Sequence, residues 1–351
     1  MPNSRRSPLL RLSTLLLACL FIVAACGDDT DGAATSTDDA DAIDRGSAAA
    51  AGDDLPPEGR GTVTENPDGT RTVTSTFGTA TVPAEPERIV SVIGDIDLEA
   101  MLALDITPVG AGTQGGTATS GFAPHLDGLV AGIEPLAWAD GAPAEAIAAL
   151  RPDLIIVPDQ ETADLLDDIA PVVPRGTWVG TEWKQDFLYI GEVLGRREDA
   201  AELLAGYEDR AAELAERIAP TIDGTTALSP QVAHDHTQIY VDADDSFSSA
   251  VLSELGFELD DLVDADDSEG ISVSHEQLER LDADWLFWQV RQDENGDTDR
   301  EGVGIVRANP LFERLPAVTA GRYVEVPNRP WYFPTILGAQ QILDDVEAAV
   351  L

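Results

Sequence analysis

Between residues 198 and 218 the chain carries one apolar stripe long enough to dictate an architecture. Ala200, Leu204, Tyr207, Ala211, Leu214 and Ile218 recur at gaps of four and three, the spacing that puts side chains on one face of an α-helix. Glu198 and Asp199 sit in the first turn, where the helix dipole favours negative charge, and Gly195 and Pro220 punctuate the ends. At 1.5 Å per residue such a helix is a rod of about 30 Å, roughly the width of a small domain. Strand-like and helix-like segments alternate on both sides of it, which argues for parallel sheets with covering helices. The expected fold is α/β: two Rossmann-like lobes with parallel sheets, joined by one long connecting helix, with a ligand cleft between them. The lobes are placed at 61–195 and 220–351, and the connecting helix at 196–219.

The alternation is readable in detail. Thr62–Thr64 and Arg71–Thr74 flank Asn66-Pro67-Asp68-Gly69, a hairpin signal. Arg88–Ile93 reads as a buried parallel strand. Helices are expected at 97–104, 144–150 and 162–169, and strands at 107–111, 153–157 and 172–174. Past the rod, strands are expected at 231–233, 238–241, 285–288 and 322–326, with helices at 247–255, 275–281 and 334–350. Glu145–Ile156 aligns without gaps on Glu276–Phe287, with acid, apolar, leucine and Asp-before-strand positions in register. One copy on each side of the rod makes two related lobes the better account of the match.

The first sixty residues stand outside this plan. Arg5, Arg6 and Arg11 precede the apolar run Leu15–Val23, a charged region followed by a hydrophobic one. Val23-Ala24-Ala25-Cys26 then resembles the lipobox of bacterial lipoproteins, whose cysteine is acylated and becomes the mature N-terminus. Residues 1–26 are thus read as a lipoprotein signal peptide with Cys26 as the lipidation site. Residues 27–60, rich in Asp, Ala, Gly, Ser and Thr, cannot bury enough surface to order themselves and are read as an acidic tether. Both cysteines lie in the export segment, so no disulfide is expected in the mature protein.

With 65 acidic and 21 basic residues the formal net charge is −44. Loss of the export segment, with three arginines and no acids, takes it to −47. Nucleic acid is therefore excluded as a partner. Such a surface suits high-salt surroundings, and biased nucleotide composition explains it equally well; the salt dependence of thermal unfolding separates the two.

Several apparent motifs fail on context. Gly110-Ala111-Gly112-Thr113-Gln114-Gly115 fits a dinucleotide fingerprint and follows a strand, but no helix begins promptly after it to supply a phosphate site. Asp293, Asn295 and Asp297 imitate a calcium loop, yet Thr298 stands where glycine is required. His234-Asp235-His236 is the sole histidine cluster, and His125 and His275 lie elsewhere, so no metal site is expected. No nucleophile–base pairing is visible, and the chain is not expected to be an enzyme.

Three stretches resemble the N-terminal lobe of the periplasmic binding proteins of iron-siderophore and vitamin B12 ABC importers: Val82-Pro83 with Pro86–Val90, Leu102–Gly110, and Ala149–Ile156. Ala308–Leu311, Leu315–Val318, Gly321-Arg322 and Trp331-Tyr332 resemble the C-terminal lobe. The resemblance runs from about residue 80 to the end. It implies a monomeric, lipid-anchored extracytoplasmic protein on the outer face of the cytoplasmic membrane, which captures a ferric siderophore and delivers it to an ABC permease without a cofactor of its own. Cobalamin or haem on the same scaffold, or an extracellular α/β enzyme, are the alternatives. In open α/β sheets ligands sit beyond the carboxyl ends of the strands. The candidate ligand contacts there are Gln160, Trp178, His236, Gln289, Arg291, Trp331 and Tyr332. Trp138 joins them because vitamin-binding members place a ligand-contacting tryptophan at that point. Trp138, Trp178, Trp183 and Trp331 all fall in expected loops. A neutral or weakly charged ligand such as a hydroxamate chelate is preferred, because the cleft loops offer few basic residues. The resemblance further implies that Glu145 and Glu276, one acid per lobe, pair with arginines of the permease.

Overall fold

In the computed structural model the described residues are 60–113, 121–138, 141, 143–176, 180–244, 246–259, 262, 270–292 and 298–351. The signal peptide, Cys26 and nearly all of the tether lie outside them. Arg60, assigned to the tether, is instead buried, and its guanidinium pairs with Glu182 and Asp186.

Strands β1 (Thr62–Glu65), β2 (Thr70–Ser75) and β3 (Gly78–Pro83) form a small antiparallel sheet. Asp68 fixes its first turn by accepting hydrogen bonds from the amide and hydroxyl of Thr70. Next come β4 (Ile89–Ser91), α1 (Asp95–Ala103), β5 (Gly110–Gly112), β6 (Glu134–Leu136), α2 (Ala144–Leu150), β7 (Leu154–Val157), α3 (Gln160–Leu166) and β8 (Val172–Pro174). Their strands make a fully parallel sheet in the order β6-β5-β4-β7-β8. Two glycines of the apparent dinucleotide fingerprint serve this sheet. A Cβ on Gly112 would strike the Val92 and Ile93 carbonyls, where the ends of β4 and β5 close on each other.

Helices α4 (Trp183–Val193) and α5 (Arg197–Ile222) follow. The rod is therefore 26 residues long, and its six expected stripe residues are all buried, joined by Ile222. Pro220 lies inside the helix rather than ending it. It is exposed in the last turn, where only one intrahelical bond is lost, and the buried Ile222 keeps the chain helical past it.

The second lobe comprises β9 (Thr226–Leu228), β10 (Gln231–Val232), β11 (Gln238–Val241), α6 (Phe247–Glu254), β12 (Glu258–Leu259), β13 (Ile271–Ser274), β14 (Trp285–Val290), α7 (Arg300–Arg307), α8 (Pro316–Thr319), β15 (Tyr323–Pro327), α9 (Asn328–Tyr332) and α10 (Ile336–Val350). Its unit β12-β9-β14-β15 is parallel and repeats the order β5-β4-β7-β8 of the first lobe. The same sheet is extended by antiparallel pairs, β10 with β11 and β11 with β13, because a tight turn after β10 sends the chain straight back.

The internal sequence match has a structural meaning. Asp153, just before β7, accepts the backbone N–H groups of Glu87 and Arg88 at the start of β4, both at 2.9 Å. Asp284, just before β14, accepts the N–H of Thr226 at the start of β9 at 3.2 Å. In each lobe the equivalent aspartate fixes the chain where it enters the neighbouring parallel strand.

Two bridges join the lobes. On one, Trp183 of α4 packs edge-on against Tyr207 of α5 and Phe247 of α6, with ring centroids 5.1 and 5.7 Å apart. Trp183 is thus a helical core residue and not a loop aromatic. The other is α10, which belongs to the second lobe in sequence but packs beside α5. The Thr335 hydroxyl that caps α10, accepting the Gly338 N–H at 2.8 Å, also donates to the buried Glu99 of α1 at 2.5 Å.

Candidate functional site

The carboxyl ends of β14 and β15 carry a connected set of amides. Gln289, on the last turn of β14, is buried and donates to the Ser229 carbonyl at 3.0 Å and to Asp242 at 3.1 Å. Asn328, the first residue after β15, donates to the side-chain oxygens of both Gln289 (2.8 Å) and Gln231 (3.1 Å). The Gln231 oxygen accepts a second bond, from Nη1 of Arg291 at 2.6 Å. Gln289 is therefore buried behind the wall, with its amide engaged within the protein.

Arg291 is half-buried, and burial holds its guanidinium below the usual arginine range; the like charge of Arg329 acts in the same direction, while Tyr332, Asp299 and Asp242 oppose it. Tyr332 is 45% exposed, its ring edge-on to Phe333 at 5.2 Å. The Arg329 guanidinium lies over Phe333, 4.7 Å from the ring centre. Phe333 in turn shares a small cavity with Gly94, Pro158 and Gly176, which follow β4, β7 and β8. Arg291, Arg329, Tyr332 and Phe333 thus lead from the strand ends of one lobe to those of the other.

The remaining candidates sort differently. Trp138 follows β6, half-buried on the first lobe, with its indole N–H donating to the Thr113 carbonyl at 3.0 Å. Trp178 lies outside the described residues, as do Gln114 and residues 293–297. Trp331 is corrected to a core residue: fully buried, stacked on Phe287 at 5.1 Å, with its indole N–H donating to Asp345 at 2.8 Å. Burial follows from α9 turning its ring inward, under α10. His236 is half-buried and bonded within its own lobe. It holds φ 58° in a tight turn, its Nε2 is 2.8 Å from Asp299, and its carbonyl accepts from His275. Gln160 is exposed, turns back on Asp164 at 2.6 Å, and borders a cavity of about 490 Å³ between β2–β3 and α3–β8, away from Phe333. Among the described residues no group of three or more His, Cys, Asp or Glu could hold a metal ion. Glu145, in the first turn of α2, and Glu276, in a 3₁₀ turn at His275–Arg280, are both exposed.

Arg329, Phe333, Gln231 and Asn328 escaped the sequence reading. Phe333 had a signal, since it continues the aromatic run Trp331-Tyr332, whereas nothing in the sequence marks two distant amides as neighbours.

A two-lobed α/β body whose strand ends converge on a basic and aromatic patch is the architecture of a solute-binding protein. The chain belongs to the periplasmic binding protein family, whose profile matches residues 95–330. It is 28% identical over 293 residues to the probable siderophore-binding lipoprotein YfiY of Bacillus subtilis, covering 80% of this chain and 88% of the relative. It is 27% identical over 296 residues to the ferric enterobactin-binding periplasmic protein FepB of Escherichia coli, covering 79% and 90%. Among solved structures, a periplasmic solute binding protein from Mycobacterium smegmatis matches with a TM-score of 0.66 at 23% identity, covering 81% of this chain and 98% of that one. The triscatecholate siderophore binding protein FeuA of Bacillus subtilis, complexed with ferri-bacillibactin, matches with a TM-score of 0.65 at 19% identity, covering 82% and 98%. The likeness to these two structures is one of fold.

Proposed function

We propose that this protein captures a ferric siderophore outside the cytoplasm, anchored to the membrane through Cys26, and delivers it to an ABC permease. The observation that carries the reading is the run of Arg291, Tyr332 and Phe333 at the strand ends of the second lobe, with Phe333 sharing a cavity with the strand ends of the first, in a chain of the binding-protein family. Ligand contacts are assigned to Arg291 and Tyr332 on one wall and to Trp138 on the other, and the sequence-based assignment of Trp178 as a contact is kept. An aromatic side chain covers roughly 150–250 Å², which suits a bulky chelate better than a bare ion. Glu145 and Glu276 are the docking acids, exposed on matching units of the two lobes. Such separated charge pairs fix orientation and speed encounter more than they add affinity.

Tryptophan fluorescence of the purified chain, titrated with ferric siderophores, cobalamin and haem, tests the reading. Saturable quenching by a ferric chelate is expected, with no response to the other two. Saturation by cobalamin or haem alone overturns it.

A further inference from the structure

We propose that His236 and Asp299 form a relay between the end of β14 and the 3₁₀ turn that carries Glu276, so that a bound chelate holds that turn closed and presents the acid to the permease. This rests on the solute-binding reading above and goes beyond it. The lobes share a continuous apolar core, so occupancy reaches an outer face through local bonds, with no movement of one lobe against the other.

Three hydrogen bonds make up the path. The Asp299 N–H donates to the Arg291 carbonyl at 2.9 Å, closing the neck of the connection between β14 and α7. The Asp299 carboxylate accepts from the Gly302 N–H at 3.0 Å, capping α7, and from Nε2 of His236 at 2.8 Å. The His236 carbonyl accepts from Nε2 of His275 at 2.8 Å. Glu276 is the next residue and is exposed. Two features show that this crossing is closely fitted. His236 stands at φ 58°, a left-handed backbone that a residue with a side chain keeps only where its surroundings fix it. A Cβ on Gly302 would lie 2.9 Å from Asp299 Oδ2 and 3.2 Å from His236 Cδ2, so the pair closes against bare backbone that only glycine offers.

The far end of the path is an element that can open. The turn His275–Arg280 has no side-chain cap, and Gln277 inside it departs from helical geometry at φ −106° and ψ 18°. Within the turn only Leu278 is buried. His275 is held by its ring to His236 and by its carbonyl, which accepts from Asn309 at 2.6 Å; its Nδ1 is buried with no hydrogen-bond partner among the described residues. Segments so lightly held open locally at low free-energy cost. A chelate that stiffens the end of β14 also stiffens the neck at Asp299, the His236 ring and, through the His236 carbonyl, the anchor of the turn. Ordering already imposed at one site lowers what the other still has to lose. His236 and Asp299 are thus positioning residues that act on Glu276 through His275.

The test is hydrogen–deuterium exchange, read by mass spectrometry on wild type, His236→Asn and Asp299→Ser, each with and without a saturating ferric chelate. The chelate used is whichever of ferric citrate, a ferric tris-catecholate and a ferric trihydroxamate quenches tryptophan fluorescence saturably. Asparagine tolerates the left-handed backbone but is too short to reach Asp299. Serine still caps α7 but is too short to reach His236. Expected is exchange at residues 275–281 slowed by the chelate at least about 5-fold in wild type, the low end of ordinary coupling between sites. In both variants that slowing should disappear, while the fluorescence titration still saturates with an affinity within about 2-fold of wild type. A merely structural role would speed exchange at 275–281 equally with and without chelate, and a preserved ratio overturns the relay. A bound chelate that leaves 275–281 unchanged in wild type also overturns it, while the solute-binding reading stands. If none of the three chelates binds to wild type that circular dichroism shows folded, both are overturned.

Discussion

Burial pushes the carboxyl of Asp242 up to about 6 from 3.8, against the opposing pull of hydrogen bonds from Gln289 and Gln231. The native state then binds this proton more tightly than the unfolded chain does. Stability from this group is therefore greatest below about pH 4, falls as pH rises through 6, and is flat beyond. The span is up to roughly 3 kcal/mol. Asp242→Asn should abolish that segment: urea midpoints of wild type and variant, compared from pH 4 to pH 7, should converge at the acid end and separate towards neutrality. A pH-independent difference would refute the assignment. None of this was legible in the chain. Asp242 is one acid among 65, and only the neighbours that β10 and β14 bring to it distinguish it. Asp153 and Asp284 are the opposite case, because their equivalent places before two strands could be read directly and the structure gives both the same bond to the adjacent strand.

Helix α5 was predictable because periodicity records burial: one face meets α4, α6 and α10, and those contacts need an apolar residue every turn. Helix α4 was missed, since Trp183-Lys184-Gln185-Asp186 mixes a buried aromatic, the sole lysine and a buried acid with no clean period. Lys184 lies 2.9 Å from Glu254 of α6 and over the rings of Trp183 and Tyr207, so its charge is used between elements and left no pattern within one. The seam at α10 gives an element-scale expectation. Thr335→Val removes the cap of α10 and the donor to Glu99 together, which should cost roughly 2–4 kcal/mol in urea unfolding. Thr335→Ser keeps the hydroxyl and should stay within about 1 kcal/mol. Equal losses in the two variants would mean that the methyl group, not the hydroxyl, matters there.

For the whole molecule, two bridges rather than one rod hold the lobes, and both run through a continuous apolar core. Large hinge motion is disfavoured by that packing, so recognition by a permease must read the outer faces. Glu145→Arg with Glu276→Arg should then abolish siderophore uptake in cells while leaving chelate affinity unchanged in solution. Cys26→Ser should release the chain from the membrane fraction. Uptake that survives the double reversal would remove these acids from docking.

The sequence by itself determined the lobes, the rod and the repeated helix-to-strand unit, since each is written in local periodicity and spacing that burial imposes on nearby residues. Only the tertiary structure decided which of the candidate side chains are engaged internally. It gave Trp331, Gln289 and His236 internal partners and set Arg329 over Phe333. The orientation of a side chain at a strand end depends on neighbours a hundred residues away, as with Asn328 and Gln231, and no local pattern carries that distance.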